Sequence, residues 1–233
     1  MDSFRRAVLF DLDGTLVDTA PDFYACINRL RAEEQLPPLD YDTVRAEVSN
    51  GGSALIRLGF GLDRNAPEFQ PLLQRLLQLY SDHIADHSTL FAGMGTLLHW
   101  LEQQDWPWGV VTNKPERFAK PLLQQLGLTA RCRVLICPEQ VAFTKPDPEG
   151  VLNACSQLNC APADSIYIGD HERDIQAGIN GGLMTAVALF GYLEPSTEPQ
   201  HWGADYLAST PDELLHWLQS LAAHQPLTGH THV

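Results

Sequence analysis

The stretch Val8-Leu9-Phe10-Asp11-Leu12-Asp13-Gly14-Thr15-Leu16-Val17-Asp18 constrains this chain more than any other. Three apolar residues run straight into two carboxylates and a glycine. An apolar run without polar alternation reads as a strand covered on both faces, and so as a parallel strand inside a sheet. Asp-Gly-Thr then reads as a sharp turn at the carboxyl end of that strand, where open α/β sheets place their ligands. Asp11 and Asp13 have the period-2 spacing of a strand, which lets both carboxylates lean toward one face. Carboxylates held that close repel, and they need a cation or a shared proton to coexist. Mg²⁺ is the cation that takes carboxylate together with phosphate oxygens. Read alone, the stretch is explained equally well by a strand followed by an ordinary Asp-Gly turn.

Composition narrows the classes. The 233 residues are 44% hydrophobic, enough for a sizeable globular core of one or two domains. A net charge of −14 argues against nucleic acid or an anionic membrane surface as partner. An anionic substrate would then need positive charge supplied locally, by a metal, a lysine and backbone amides. The five cysteines, Cys26, Cys132, Cys137, Cys155 and Cys160, are odd in number and contain no C-x-x-C, which predicts reduced thiols rather than disulfides or zinc. No signal peptide and no membrane-spanning apolar run is evident, so a cytoplasmic protein is expected, as a monomer or a homodimer.

The periodicity changes twice along the chain. From Thr19 to Phe91 it is helical, with Thr19 as the expected cap of a first helix and Phe23, Cys26, Ile27 and Leu30 on its apolar side. A short helix is expected near Asp40–Val48, a loop at Ser49-Asn50-Gly51-Gly52, and a longer helix starting at Asn65-Ala66-Pro67. Beyond Gly93-Met94-Gly95 strands and helices alternate. Strands are expected at 108–112, 134–136, 165–168, 184–188 and 205–208, and a closing helix at 211–221. The fold class is therefore α/β, a doubly wound, mostly parallel Rossmann-like core (1–18 and 92–233) carrying an inserted all-helical unit (19–91). The terminal His-x-His reads as frayed chain.

Polar residues of useful chemistry fall where the predicted strands end. Asp11 and Asp13 follow the first, Thr112-Asn113-Lys114 the second, and Thr144-Lys145-Pro146-Asp147-Pro148 the third. Gly169-Asp170-His171-Glu172-Arg173-Asp174 follows the fourth. Each has an ordinary explanation. Thr112-Asn113 suits a helix cap, Lys145 a solvated loop charge, and Asp174 a first-turn acid favoured by the helix dipole. Together, in this order, they compose a phosphoryl-transfer site.

The order Asp-x-Asp-Gly-Thr, Thr, Lys-Pro, Gly-Asp-x-x-x-Asp resembles the haloacid dehalogenase superfamily, and the helical insertion resembles its C1-type cap. The resemblance implies that Asp11 takes the phosphoryl group as an aspartyl-phosphate and that Asp13 is the general acid/base. It implies that Thr112 hydrogen-bonds a phosphoryl oxygen and that Lys145 neutralises charge. Asp170, with Asp11 and the backbone carbonyl of Asp13, would bind Mg²⁺, and Asp174 would support that site. The acid at position 13 suits phosphoesters and argues against dehalogenation. The span 19–91 holds no lysine, which argues against phosphonate cleavage through a Schiff base.

Within the superfamily the chain is similar to the phosphoglycolate phosphatase group, through Phe10-Asp-Leu-Asp-Gly-Thr-Leu-Val-Asp-Thr-Ala20, Val110-Val-Thr-Asn-Lys-Pro115 and Lys145-Pro-Asp-Pro148. His87–Met94, Trp108–Pro121, Leu135–Pro138, Gly191-Tyr192 and Trp202–Asp205 are more specifically similar to the phosphatases of N-acetylmuramic acid 6-phosphate, which act in peptidoglycan recycling. The implied partner is a small-molecule phosphate ester. Specificity is expected from the cap, through Ser49, Asn50, Gly51 and Gly52, since glycines permit close approach to a ligand. Thr112, Asn113 and Lys145 are the other expected substrate contacts. Arg57, or Lys114 with Arg117, are candidates for a substrate carboxylate. His171-Glu172-Arg173 departs from the group, which often has a second acid directly after the first. Phosphosugar mutase chemistry shares these motifs, and a receiver-type signalling module shares clustered acids, a Thr, a Lys and a phosphorylated Asp.

Overall fold

The computed structural model describes residues 6–194 and 196–223. The His-x-His tail lies outside them.

A six-stranded sheet organises the molecule: β1 (Val8–Phe10), β4 (Trp108–Val111), β5 (Leu135–Ile136), β6 (Ile166–Gly169), β7 (Met184–Ala188) and β8 (Tyr206–Ala208). The order is β5-β4-β1-β6-β7-β8, and every pairing is parallel. Val8 pairs with Trp108 on one side and Ile166 on the other, so β1 lies at the centre. Its three residues are fully buried, which is why no polar alternation survives in them.

The two faces of β1 feed different cores. Val8 and Phe10 pack with Leu97, Leu98 and Leu101 of α5 (Met94–Gln103), Leu122 of α6 (Glu116–Gln125), and Leu214 and Leu218 of α9 (Pro211–Ala223). Leu9 packs with Val151 and Ala154 of α7 (Glu149–Leu158) and Ala177 of α8 (Glu172–Asn180). Helices thus cover both faces in the doubly wound manner. The chain runs from β1 outward through β4 to β5 and then crosses over to β6 on the other side of β1, so the strand order reverses there and a crevice opens beyond the carboxyl end of β1.

Between β1 and β4 stand α1 (Ala20–Glu33), α2 (Tyr41–Glu47), α3 (Gly52–Phe60) and α4 (Phe69–Asp82). They share a second apolar core of Phe23, Ile27, Leu30, Leu55, Leu76 and Tyr80, which is completed by Phe118 and Tyr192 from the sheet-bearing part. Phe23 stacks on Tyr80 at 4.1 Å, and Phe118 meets Tyr80 edge-on at 5.5 Å.

Three expectations need correction. The longer helix begins at Phe69, not at 65–67, because turns closed by Ala66 N–H to Asp63 O and Phe69 N–H to Ala66 O come first. The span 19–91 is not wholly helical. Its end forms β3 (Thr89–Leu90), which pairs antiparallel with β2 (Val17–Asp18) where the chain enters and leaves the helical part. Two-residue strands leave no readable alternation. Thr19 precedes α1 but makes no side-chain cap bond, because its hydroxyl is used elsewhere.

Candidate active site

The acids converge at the carboxyl ends of β1 and β6. One carboxylate oxygen each from Asp11, Asp170 and Asp174 lies within 4.8 Å of the others, and all three residues are buried. Lys145 reaches them from the loop after β5. Its Nζ donates to Asp11 Oδ1 at 2.8 Å, to the carbonyl of Val111 at 3.1 Å and to Tyr167 Oη at 2.8 Å. It also forms an ion pair with Asp174 Oδ1 at 2.7 Å. Burial opposes the ammonium charge, but Asp11 and Asp174 outweigh it and lift the Lys145 pKa above the ordinary lysine value.

Asp174 has two duties. Its Oδ2 accepts from the His171 N–H, closing a capping box at the start of α8, while its Oδ1 faces Lys145. The residue is thus at once a first-turn helix acid and a member of the acidic cluster. His171 Nδ1 accepts from the Arg173 N–H, and burial lowers the His171 pKa to about 4, so the ring is neutral.

Asp170 is held by the Tyr192 N–H at 2.8 Å and by the Thr15 and Ser49 hydroxyls. Burial first, then the charges of Asp11 and Asp174, raise its pKa to about 7. Gly14 makes this placement possible. It has φ +83°, and a Cβ there would stand 2.2 Å from Asp170 Oδ2.

Asp11 and Asp13 do not share a partner. Asp13 Oδ1 accepts from Lys114 Nζ at 2.8 Å and from Thr19 Oγ1 at 2.6 Å. The Lys114 ammonium sits over the rings of Phe23 and Tyr80, at 4.9 and 4.5 Å. Asp13 keeps it charged despite burial and raises its pKa. The repulsion anticipated between the two acids is relieved by a separate lysine for each. The role of Lys114 as partner of Asp13 was missed by sequence reasoning. Its signal is only a lysine directly after Thr112-Asn113.

A cavity of about 380 Å³ opens above these groups. Asp11, Asp13, Thr112, Asn113, Lys114 and Lys145 line its sheet side. Ser49, Asn50, Gly51, Gly52 and Ser53 line its helical side, with Leu73 and Leu77. Thr112 Oγ1 accepts from the Lys114 N–H, which leaves its own hydrogen free to donate. Asn113 spends its amide on the Lys145 carbonyl at 3.3 Å, steadying that loop. Arg117 lines the cavity too. Arg57 does not: α3 turns Leu55, Ile56 and Gly59 into the helical core and leaves Arg57 to solvent. Arg173, noted in the sequence only as a departure, is part of the wall.

The three buried carboxylates suit a small hard cation. With all three ionised against one ammonium, the cluster carries two unbalanced negative charges (three minus one), and the donors are all oxygens.

The family described as haloacid dehalogenase-like hydrolase matches residues 8–188. The chain belongs to this family. A curated relative from Pseudomonas aeruginosa, an N-acetylmuramic acid 6-phosphate phosphatase, is 48% identical over 210 residues, covering 90% of this chain and 93% of the relative. A phosphoglycolate phosphatase from Xanthomonas campestris is 41% identical, covering 91% and 95%. The crystal structure of a predicted phosphoglycolate phosphatase from Haemophilus somnus superposes with a TM-score of 0.80 at 23% identity, covering 94% of this chain and all of that one, and shows the shared fold. This haloacid dehalogenase-like chain is a hydrolase of the phosphatase type, with the Rossmann-like core of its family. Among the described residues no helix is long and apolar enough to cross a membrane.

Proposed function

We propose that this protein is a Mg²⁺-dependent phosphomonoesterase that hydrolyses N-acetylmuramic acid 6-phosphate through an aspartyl-phosphate on Asp11. The observation that carries the chemistry is the placing of Asp11 in the lining of the cavity, paired with Lys145 and beside the buried Asp170 and Asp174. Asp11, Asp170 and Asp174 would hold Mg²⁺. When bound, the dication supplies positive charge to the acids and the phosphoryl oxygens.

The rest falls to the protein's own groups. An Asp11 carboxylate oxygen attacks phosphorus and the ester P–O bond breaks. Asp13 gives a proton to the departing alkoxide, then takes one from the water that attacks the aspartyl-phosphate, and inorganic phosphate leaves. Lys114 and Thr19 both bond to Asp13 Oδ1, so neither occupies Oδ2. Thr112 donates to a phosphoryl oxygen and Lys145 balances charge as the transition state spreads it. Residues 19–91 act as the cap.

Cavity size favours the sugar ester. About 380 Å³ falls within the range of about 300–1,000 Å³ typical of small-molecule sites, and phosphoglycolate is far smaller than an N-acetylated lactyl sugar phosphate. Leu73, Leu77, Phe23 and Phe118 offer apolar wall to a sugar face and its methyl groups. The 48% identical relative supports the same reading. Phosphoglycolate is the second reading, supported by the 41% identical relative.

A phosphate-release assay with Mg²⁺ tests the proposal on N-acetylmuramic acid 6-phosphate, phosphoglycolate, and glucose and mannose phosphates. The muramic ester is expected to have the highest kcat/KM, and Asp11→Asn to abolish turnover while the melting transition stays cooperative. A preference for phosphoglycolate would transfer the assignment to the second reading. Substantial turnover by Asp11→Asn would sink the mechanism. A requirement for a bisphosphate would indicate a mutase. A long-lived phospho-Asp without ester hydrolysis would indicate a receiver module.

A further inference from the structure

Four cationic side chains line the cavity: Lys114, Arg117, Lys145 and Arg173. Two are committed. Lys145 is paired with Asp11 and Asp174, and Lys114 with Asp13. Arg117 is exposed and lies over the ring of its neighbour Phe118 at 4.6 Å. Arg173 differs from all three. Its Nη2 donates to the carbonyl of Ser49, while its Nε is buried and has no hydrogen-bond partner among the described residues. It forms no salt bridge among those residues either.

A buried guanidinium N–H without an acceptor is uncommon in a native structure and requires an explanation. The surroundings supply one. Arg173 belongs to α8, directly before Asp174, and its one bond crosses to the helical part. There it holds the loop expected to contact substrate. Two more bonds pin the same loop: Ser49 Oγ to Asp170 Oδ2 at 3.3 Å and Asn50 Nδ2 to Glu194 Oε1 at 2.8 Å. The loop continues through Gly51 into the first turn of α3, which has no side-chain cap and no acidic residue, and Gly52 and Ser53 there also line the cavity. One wall thus combines an incompletely satisfied guanidinium with helix-start amides, in a protein of net charge −14. Both groups favour an anionic oxygen.

We propose that Arg173 is a substrate-binding residue, which takes an anionic oxygen of the bound phosphate ester and, through Ser49, holds the 49–53 segment against it. This rests on the phosphatase reading above. The substrate offers two groups with such oxygens, the phosphoryl group and the carboxylate. Arg173 links substrate occupancy to cap position, because one guanidinium serves both.

The test compares wild type, Arg173→Met and Arg173→Lys on N-acetylmuramic acid 6-phosphate and on N-acetylglucosamine 6-phosphate, the same ester without the lactyl carboxylate. A second readout is the rise in melting temperature produced by inorganic phosphate. Wild-type turnover of the muramic ester first establishes the sugar-ester reading; absence of turnover on both esters defeats that reading, and the phosphate-induced shift still reports on the anion site. Arg173→Met is expected to raise KM by about tenfold or more with a smaller change in kcat, and Arg173→Lys, which keeps the charge but not the fork, to fall between. A rise for both esters with a weakened phosphate-induced shift assigns the contact to the phosphoryl group. A rise for the muramic ester alone assigns it to the carboxylate. Unchanged KM on both esters in both variants overturns the proposal, as does a fall in kcat and melting temperature with KM intact, which would mark a purely structural tie.

Discussion

Asp11 and Asp13 stand two residues apart, yet each has its own lysine. The charge problem that remains is on the other side of Asp11, where Asp170 and Asp174 close in. Asp170 has a folded-state pKa of about 7 against an ordinary 3.8. Between those values the metal-free folded state binds more protons than the unfolded one, so its stability falls as pH rises through that window. Below about pH 4 both states are protonated and the penalty vanishes. Mg²⁺ binding requires the deprotonated carboxylate and so competes with that proton. The rise in melting temperature on adding Mg²⁺ is therefore expected to be larger at pH 8 than at pH 5.5. Equal shifts at both pH values would contradict the placing of the ion at Asp170. Gly14 controls the same acid from the backbone. Gly14→Ala forces a side chain into the left-handed region, at about 1–2 kcal/mol, and drives a Cβ into Asp170 Oδ2. A lower melting temperature together with loss of turnover is expected, measured by calorimetry and phosphate release.

At the scale of elements, the start of α1 shows how the helical part is attached. Tyr192 Oη accepts from the Ala20 N–H at 2.8 Å and from the Thr19 N–H, and donates to Asp18 Oδ1 at 2.7 Å. A tyrosine from after β7 does the work expected of the Thr19 side chain, which frees that hydroxyl for Asp13. The backbone N–H of the same tyrosine holds Asp170. The second passage is tied by buried Asp22, whose carboxylate accepts from the N–H groups of Ala85, His87 and Ser88. Tyr192→Phe strands two buried N–H groups and is expected to cost about 1–3 kcal/mol. That corresponds to a fall in melting temperature of about 2–4 °C per kcal/mol for a chain of this size. Because the link also sets the entry of α1 beside Asp13, kcat is expected to fall with it. Unchanged melting and kcat would show that Tyr192 contributes only its ring and backbone.

At the scale of the molecule, the helical core walls the cavity beyond the end of the sheet, and the thiols report on that core and on one core of the sheet. Cys26 lies in the helical core, and Cys137 joins the core on one face of the sheet. Burial pushes both thiols up to about 12, so at pH 8 about one in ten thousand is thiolate. Native protein is expected to resist alkylation at these two positions, and denatured protein to label at all five cysteines, read by mass spectrometry. Rapid native labelling of Cys26 would show that the helical core opens readily. The sequence alone determined the parallel sheet, the order of its strands along the chain, the helical insertion and the acids and lysine at strand ends. These follow from local signals: unbroken apolar runs, 3.6-residue periodicity, and polar residues directly after strands. It did not determine the partners. That Lys114 serves Asp13, that Tyr192 replaces Thr19 as cap, that Arg57 faces solvent and that Arg173 joins the cavity wall are contacts between segments distant in the chain. No local pattern encodes such a contact. The choice is made only when both cores pack, because packing decides which face of each helix is buried and which polar groups lose water together.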